Sequence, residues 1–255
     1  MYDDGVRSGR LVAWVRSWRA GLVPFDDVVD AVTGADAEHD VADLPGEPHV
    51  VPLRTALAAL SGVDGDAVRL VLPAAGDPRG LPGPGPFTTS ALAAGEGAVC
   101  GSLGLVPTVL RRVSGSGDVW HTVHWRAFPL PQLPRHDPLG LAEADHELLD
   151  ALRTSTDALR ELDVARWRPE LAEALAGLRR DGGRGDLPSG YDPRAHRVLH
   201  RAELVGRIVA LAGTEAPGGA VTAFEASARD AALRPLATAA RRARVAAHNA
   251  PLRPA

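Results

Sequence analysis

The sequence predicts an α+β protein: N-terminal helices packed on a small antiparallel sheet, followed by a helical C-terminal half. Three observations carry that expectation. Apolar residues recur at helical spacing up to residue 62. Runs of β-branched residues separated by turn residues dominate 67–128. Beyond a proline-rich connector at 129–140 (Pro129, Pro131, Pro134, Pro138), every periodic stretch is again helical. The expected division is therefore 1–136, an α+β domain with three helices and then three to four strands, and 137–255, an α-helical domain.

Taken in order, Leu11, Trp14, Val15, Trp18 and Leu22 mark a first helix that Gly21 stops, with Trp14 and Trp18 as expected core anchors. Pro24, Asp26 and Asp27 open a second, carrying Val28, Val29 and Val32 and ending at Gly34. Segment 35–50 is acidic with two prolines and reads as a loop. Pro52 begins a third helix with Leu53, Ala56, Leu57 and Leu60 on one face and Gly62 as its stop. Candidate strands are Val68–Leu72, Ala98–Cys100, Leu105–Val113 and Val119–Phe128, the last two joined by a Gly115–Asp118 turn. Pro73–Pro86, with five prolines, reads as a long loop before a short helix Ser90–Ala94.

In the second half, Leu148, Leu152, Leu159 and Leu162 form the stripe of a helix at about 142–162. Pro169 to Arg180 obeys every capping rule, ending at Gly182-Gly183. Asp192-Pro193 starts a helix to about Ala212 whose apolar face is Val198, Ala202, Val205 and Val209. A last stretch runs from about Val221 to Ala247, kinked or split at Pro235.

Composition excludes several activities. All 28 cations among the 255 residues are arginine, a coding bias that also removes Schiff-base catalysis, pyridoxal attachment and a Walker-A lysine. The net charge of −4 gives no global field toward nucleic acid or anionic lipid. Cys100 is the single cysteine, so no disulfide or multi-cysteine metal site forms. The acidic Met1-Tyr2-Asp3-Asp4 start does not suit a secretory signal, and no apolar run is long enough to span a membrane, so a cytoplasmic location is expected.

His196, His200 and Glu203 share a helix face opposite the apolar one, where a solvated stripe outweighs a metal site. His121 and His124, three apart on one strand, point to opposite faces and cannot share a metal. The prolines of loop 73–90 remove the backbone donors a phosphate cradle needs. Asp77, Arg79, Thr88 and Thr89 nevertheless remain the candidate ligand-binding residues, with Arg79 as the anion contact and the loop expected to be ordered beside the main concave surface. Catalytic residues are unassigned, and no metal or cofactor is expected. Arg234, Arg241, Arg242 and Arg244 make a positive last helix, with Arg253 in the tail, but no aromatics interleave, so nucleic acid is a third reading only.

The stretches Leu11-Val12-Ala13-Trp14-Val15-Arg16, Leu70-Val71-Leu72-Pro73 with Gly76-Asp77-Pro78, and Leu162-Asp163-Val164-Ala165-Arg166-Trp167-Arg168-Pro169 resemble an uncharacterised alanine- and arginine-rich protein family of high-GC actinobacteria. The resemblance implies a bacterial cytoplasmic protein and carries no assigned activity. The expected function is a non-catalytic protein acting through protein–protein contacts, with an unknown partner or self-association. The competitor is a small-molecule-binding protein or enzyme using loop 73–90.

Overall fold

The structure, a computed structural model, describes residues 6–131, 139–161, 187–214 and 223–253. Two compact units divide the chain: Met1–Pro138 with Leu187–Asp192 and Pro251–Ala255, and Leu139–Asp186 with Pro193–Ala250.

The first unit runs α1 (Arg7–Arg19), α2 (Phe25–Thr33), β1 (Glu38–Ala42), β2 (Val51–Pro52), α3 (Leu53–Ala59), β3 (Val68–Val71), α4 (Pro86–Ala94), β4 (Gly97–Cys100), β5 (Leu103–Val113) and β6 (Val119–Pro129). The α+β architecture is as expected. Its sheet is larger and mixed, with order β2-β1-β6-β5-β4-β3. Every neighbouring pair is antiparallel except β1 and β6, which run parallel with Asp40 opposite His124 and Val41 opposite Trp125. Segment 35–50 is thus not simply a loop. β1 was hidden because only His39 and Val41 of its five residues are buried, between acidic neighbours that face the other way.

Strand alternation gives the sheet two distinct faces. On one, Leu70, Ala98, Cys100, Leu105, Val123, Trp125 and Ala127 are buried, and α1 packs against the β3–β5 part of the sheet. On the other, α4 lays Phe87 and Ala91 on Val71, Val99, Val106 and Phe128. Gly104 is required there, because a methyl group would collide with the Phe87 ring. α4 begins at Pro86, earlier than the expected Ser90, since proline suits the first helical turn.

α1 ends as expected at Gly21, φ +74°, whose N–H donates to the Trp18 carbonyl at 2.8 Å. Trp14 and Trp18, however, are only half-buried. The helix turns Leu11, Val12 and Val15 inward, together with Arg16, whose guanidinium donates to the Val68 carbonyl at 3.1 Å. Trp18 instead stacks on Phe25 of α2, ring centroids 5.0 Å apart, with Arg19 over its other edge. Among the described residues, the largest fully buried side chain is Trp125.

Residues from far along the sequence complete this unit. The Ser189 carbonyl accepts from Ser17 Oγ at 2.8 Å, Leu187 and Tyr191 are buried, and the Arg253 N–H donates to the Gly190 carbonyl at 2.8 Å. Arg253 also pairs with Asp192.

The second unit contains α5 (Leu141–Glu161), α6 (Pro193–Thr214) and α7 (Ala223–His248), with α7 packed along both others. Val198, Ala202 and Val205 of α6 are buried as the periodicity requires, while Val209 is half-buried. On α5, Ala144 and Leu148 are buried but Leu152 is exposed, so the leucine stripe is not the whole inner face. Pro235 lies inside α7, which continues through it. Leu162 and the expected 169–180 helix lie outside the described residues. No described helix is long and apolar enough to cross a membrane.

Candidate functional site

Loop 73–90 closes on itself. An Ala74–Asp77 bridge is made by two backbone hydrogen bonds, and Asp77, 9% exposed, holds Arg79 Nε at 3.4 Å. The Arg79 side chain remains 53% exposed. Thr88 and Thr89 hydroxyls donate to the Gly83 and Gly85 carbonyls, so both serve the first turn of α4. Asp77 and Arg79 are therefore brought together, whereas the threonines are engaged locally.

Beneath the sheet lies a buried polar chain that sequence reasoning missed. Arg7 donates through Nε and Nη2 to both carboxylate oxygens of Asp36 at 3.3 and 3.1 Å. Asp36 Oδ2 lies 3.2 Å from His39 Nε2, and Trp125 Nε1 lies 3.2 Å from His39 Nδ1. Indole N–H can only donate, so Nδ1 accepts and the proton sits on Nε2, donated to Asp36. Burial lowers the His39 pKa, and the Asp36 carboxylate only partly offsets it, which agrees with a neutral ring. Burial works to raise Asp36, but the Arg7 and His39 hydrogen bonds and charges outweigh it and hold it below the usual carboxylate range. Each member satisfies the next. A buried chain without a reactive end is structural. Its signal in the sequence was the His39/Val41 alternation, swamped by four acidic residues between 36 and 43.

On the opposite face, His124 Nδ1 donates to Asp40 at 2.7 and 2.8 Å. His121 and His124 do point to opposite faces, as alternation requires. Thr108 is the register partner of His124 on the far side, so carboxylate, imidazole and hydroxyl lie in a row across β1, β6 and β5. This order would let an imidazole act as base toward a hydroxyl. Here Thr108 is exposed, the His124 side chain is 42% exposed, and no hydrogen bond joins the two among the described residues, so the groups stand side by side without being linked. Cys100 is no better a nucleophile: burial pushes its thiol up to about 12.

The β5–β6 hairpin has two parts. From Leu103 to Pro107, β5 is buried throughout; from Thr108 to Val113 it is exposed except for Leu110. β4 pairs with β5 only over Leu103–Leu105, so among the described residues the rest of β5 has a bare edge on that side. Val109 (38% exposed), Val113 (53%), Val119 (48%) and Trp120 (38%) give this tip an apolar surface. The turn is closed by Ser114 N–H donating to the Asp118 carbonyl, with both Ser114 and Ser116 hydroxyls on the Asp118 carboxylate.

The helical unit carries a shallow cleft of about 670 Å³ between α5 and α7, lined in part by His146, Glu147, Asp150, Arg234, Thr238 and Arg242. None of its lining residues comes from loop 73–90. Within it, His146 lies 3.1 Å from Asp150, and Arg242 pairs with Glu147 at 3.6 Å. Of the His196, His200 and Glu203 stripe, His200 is exposed and the other two are half-buried. No group of three or more potential metal ligands occurs among the described residues. Of the arginines toward the C-terminus, Arg242 on the last helix pairs with Glu147, and Arg253 in the tail pairs with Asp192.

These features define an α+β unit whose β5–β6 hairpin has an exposed tip, and a second unit described here by three helices. The family model for the Rv1486c-like protein N-terminal domain matches residues 8–139, and that for its C-terminal domain matches residues 142–245. The chain belongs to the Rv1486c-like protein family. It is 30% identical over 279 residues to uncharacterised protein Rv1486c of Mycobacterium tuberculosis (strain ATCC 25618 / H37Rv), covering 93% of this chain and 94% of that protein. It is 27% identical over 287 residues to uncharacterised protein ML1804 of Mycobacterium leprae (strain TN), covering 94% and 95%. The resemblance to an uncharacterised actinobacterial family holds. No solved structure matches the chain.

Proposed function

We propose that this is a non-catalytic cytoplasmic protein that works through protein–protein contacts, made by the tip of the β5–β6 hairpin. The observation that carries the reading is the exposure of Val109, Val113 and Val119 together on one face of the hairpin tip, with Trp120 exposed on the other, beside a strand edge left unpaired among the described residues. A chain gains nothing for its own stability from apolar side chains held in water, and grouped ones mark binding surfaces. The substitution V113T/V119T/W120S tests it. Proteins that co-purify with the tagged chain from its own cells should be lost in this variant, whose folding should be close to wild type. Unchanged co-purification would overturn the reading.

A second reading keeps Asp77, Arg79, Thr88 and Thr89 as a ligand-binding loop. It is supported by the half-exposed Arg79 guanidinium, fixed at one edge by Asp77. In that case D77A/R79A, and not the hairpin variant, removes the protein's activity in cells.

A further inference from the structure

We propose that the free edge of β5, residues 107–113, receives an extended segment of another protein bearing two consecutive acidic side chains between apolar ones. The inference rests on the protein-contact reading and adds the mode of binding and the chemistry of the partner.

The phase of the strand decides which groups are available. The Ser114 N–H bonds to the Asp118 carbonyl, and the Ser102 carbonyl accepts from the Leu130 N–H at 2.7 Å. Even-numbered residues of β5 therefore turn their backbone groups toward β6. Odd-numbered ones turn them toward β4, which stops opposite Leu105. Pro107 occupies the first outward position past that point, where a missing N–H deprives no neighbour. The N–H groups of Val109, Arg111 and Val113 and the carbonyls of residues 107, 109, 111 and 113 form a ladder unused among the described residues. An extended peptide fits such a ladder by strand addition.

Side chains specify the partner. Val109, Arg111 and Val113 point to one face of the sheet, Leu110 and Arg112 to the other. Arg111 and Arg112 are both exposed, and neither has an ion-pair partner among the described residues. An added strand meets one arginine on each face at neighbouring positions, so it needs two adjacent acids, with apolar residues toward Val109, Leu110 and Val113. A second copy of this chain fits poorly. The antiparallel self-pairing confined to 109–113 is centred on Arg111 and sets two guanidinium groups opposite each other.

The test selects displayed random heptapeptides on the purified whole chain. Peptides with adjacent Asp or Glu flanked by Val, Ile or Leu should be enriched. Replacing the acids by Lys should weaken binding at least about tenfold. A bound peptide should slow amide exchange at Val109, Arg111 and Val113. V109P should abolish binding, because it removes an outward donor and leaves the β6 ladder intact. Should V109P fail to fold, R111E/R112E serves instead and should shift selection to Lys- or Arg-bearing peptides. Failure to enrich any peptide, enrichment without acids, or binding that survives V109P would overturn the proposal. So would protection of the same three amides by the chain alone as its concentration rises, which would make the occupant a second copy. Loss of co-purification in V113T/V119T/W120S would meanwhile keep the contact reading alive even if this edge proposal fell.

Discussion

Two aspartate–histidine pairs lie on opposite faces of the sheet, Asp36 just before β1 with His39 on it, and Asp40 of β1 with His124 of β6, and their surroundings give them different meanings. Asp36–His39 is sealed beneath the sheet, with Arg7 on one end and Trp125 on the other. Asp40–His124 has similar chemistry and shorter contacts, yet lies at the surface with side chains 22% and 42% exposed. Distance alone would rank the second pair as stronger. Burial reverses the ranking, because the cost of leaving a group unpaired grows as water is removed.

The comparison breaks most clearly at Asp36. D36N strips the buried Arg7 guanidinium of its counter-charge and should cost about 3–5 kcal/mol in denaturant unfolding. A loss under about 1 kcal/mol would mean water enters the site. Acid separates the faces next. A histidine whose native pKa lies below its unfolded value stabilises the fold above the unfolded pKa, and this is lost as pH falls toward the native one. Burial holds His39 below its ordinary value, and takes His248 of α7 down to about 4. Lowering pH from 7 to 4 should therefore remove on the order of 3 kcal/mol through His248. H248Q should flatten that slope, and a parallel wild-type and variant pH profile would refute the assignment.

At Trp125 the contact is neutral. W125F leaves His39 Nδ1 without its donor and should cost about 2 kcal/mol, read from the same unfolding curves. On the open face, D40N should cost less than about 1 kcal/mol, since water and salt already screen that pair. If D40N proves as damaging as D36N, the open face is covered in the cell, and a partner seated there becomes the explanation.

Much of the architecture was legible because its signals are local. Gly21 and Gly34 end helices, and the 115–118 turn joins two long alternating strands, without reference to anything distant. β1 was not legible, since its identity depends on a parallel partner some 80 residues away. Trp14 and Trp18 misled for a related reason. Helical spacing marks a stripe but not which of two adjoining stripes turns inward, and burial of Arg16 against the Val68 carbonyl settled it. Asp77 and Arg79 could be placed together from sequence. The bare edge of β5 could not, because it exists only where β4 ends.

The split make-up of the first unit bears on how the chain is synthesised. β6 ends at Pro129, while the segments that accept from Ser17 and pair at Gly190 arrive with residues 187–192 and 251–253. At a ribosomal pace of about 5–20 residues per second, the sheet waits roughly 6–25 s for its last pieces. For the first half of that interval, roughly 3–12 s at the same pace, α1 has neither the Ser189 carbonyl nor the Tyr191 side chain beside it, so the nascent sheet is most open to chaperones and proteases then. A fragment stopping at residue 136 would be held permanently in that unfinished state.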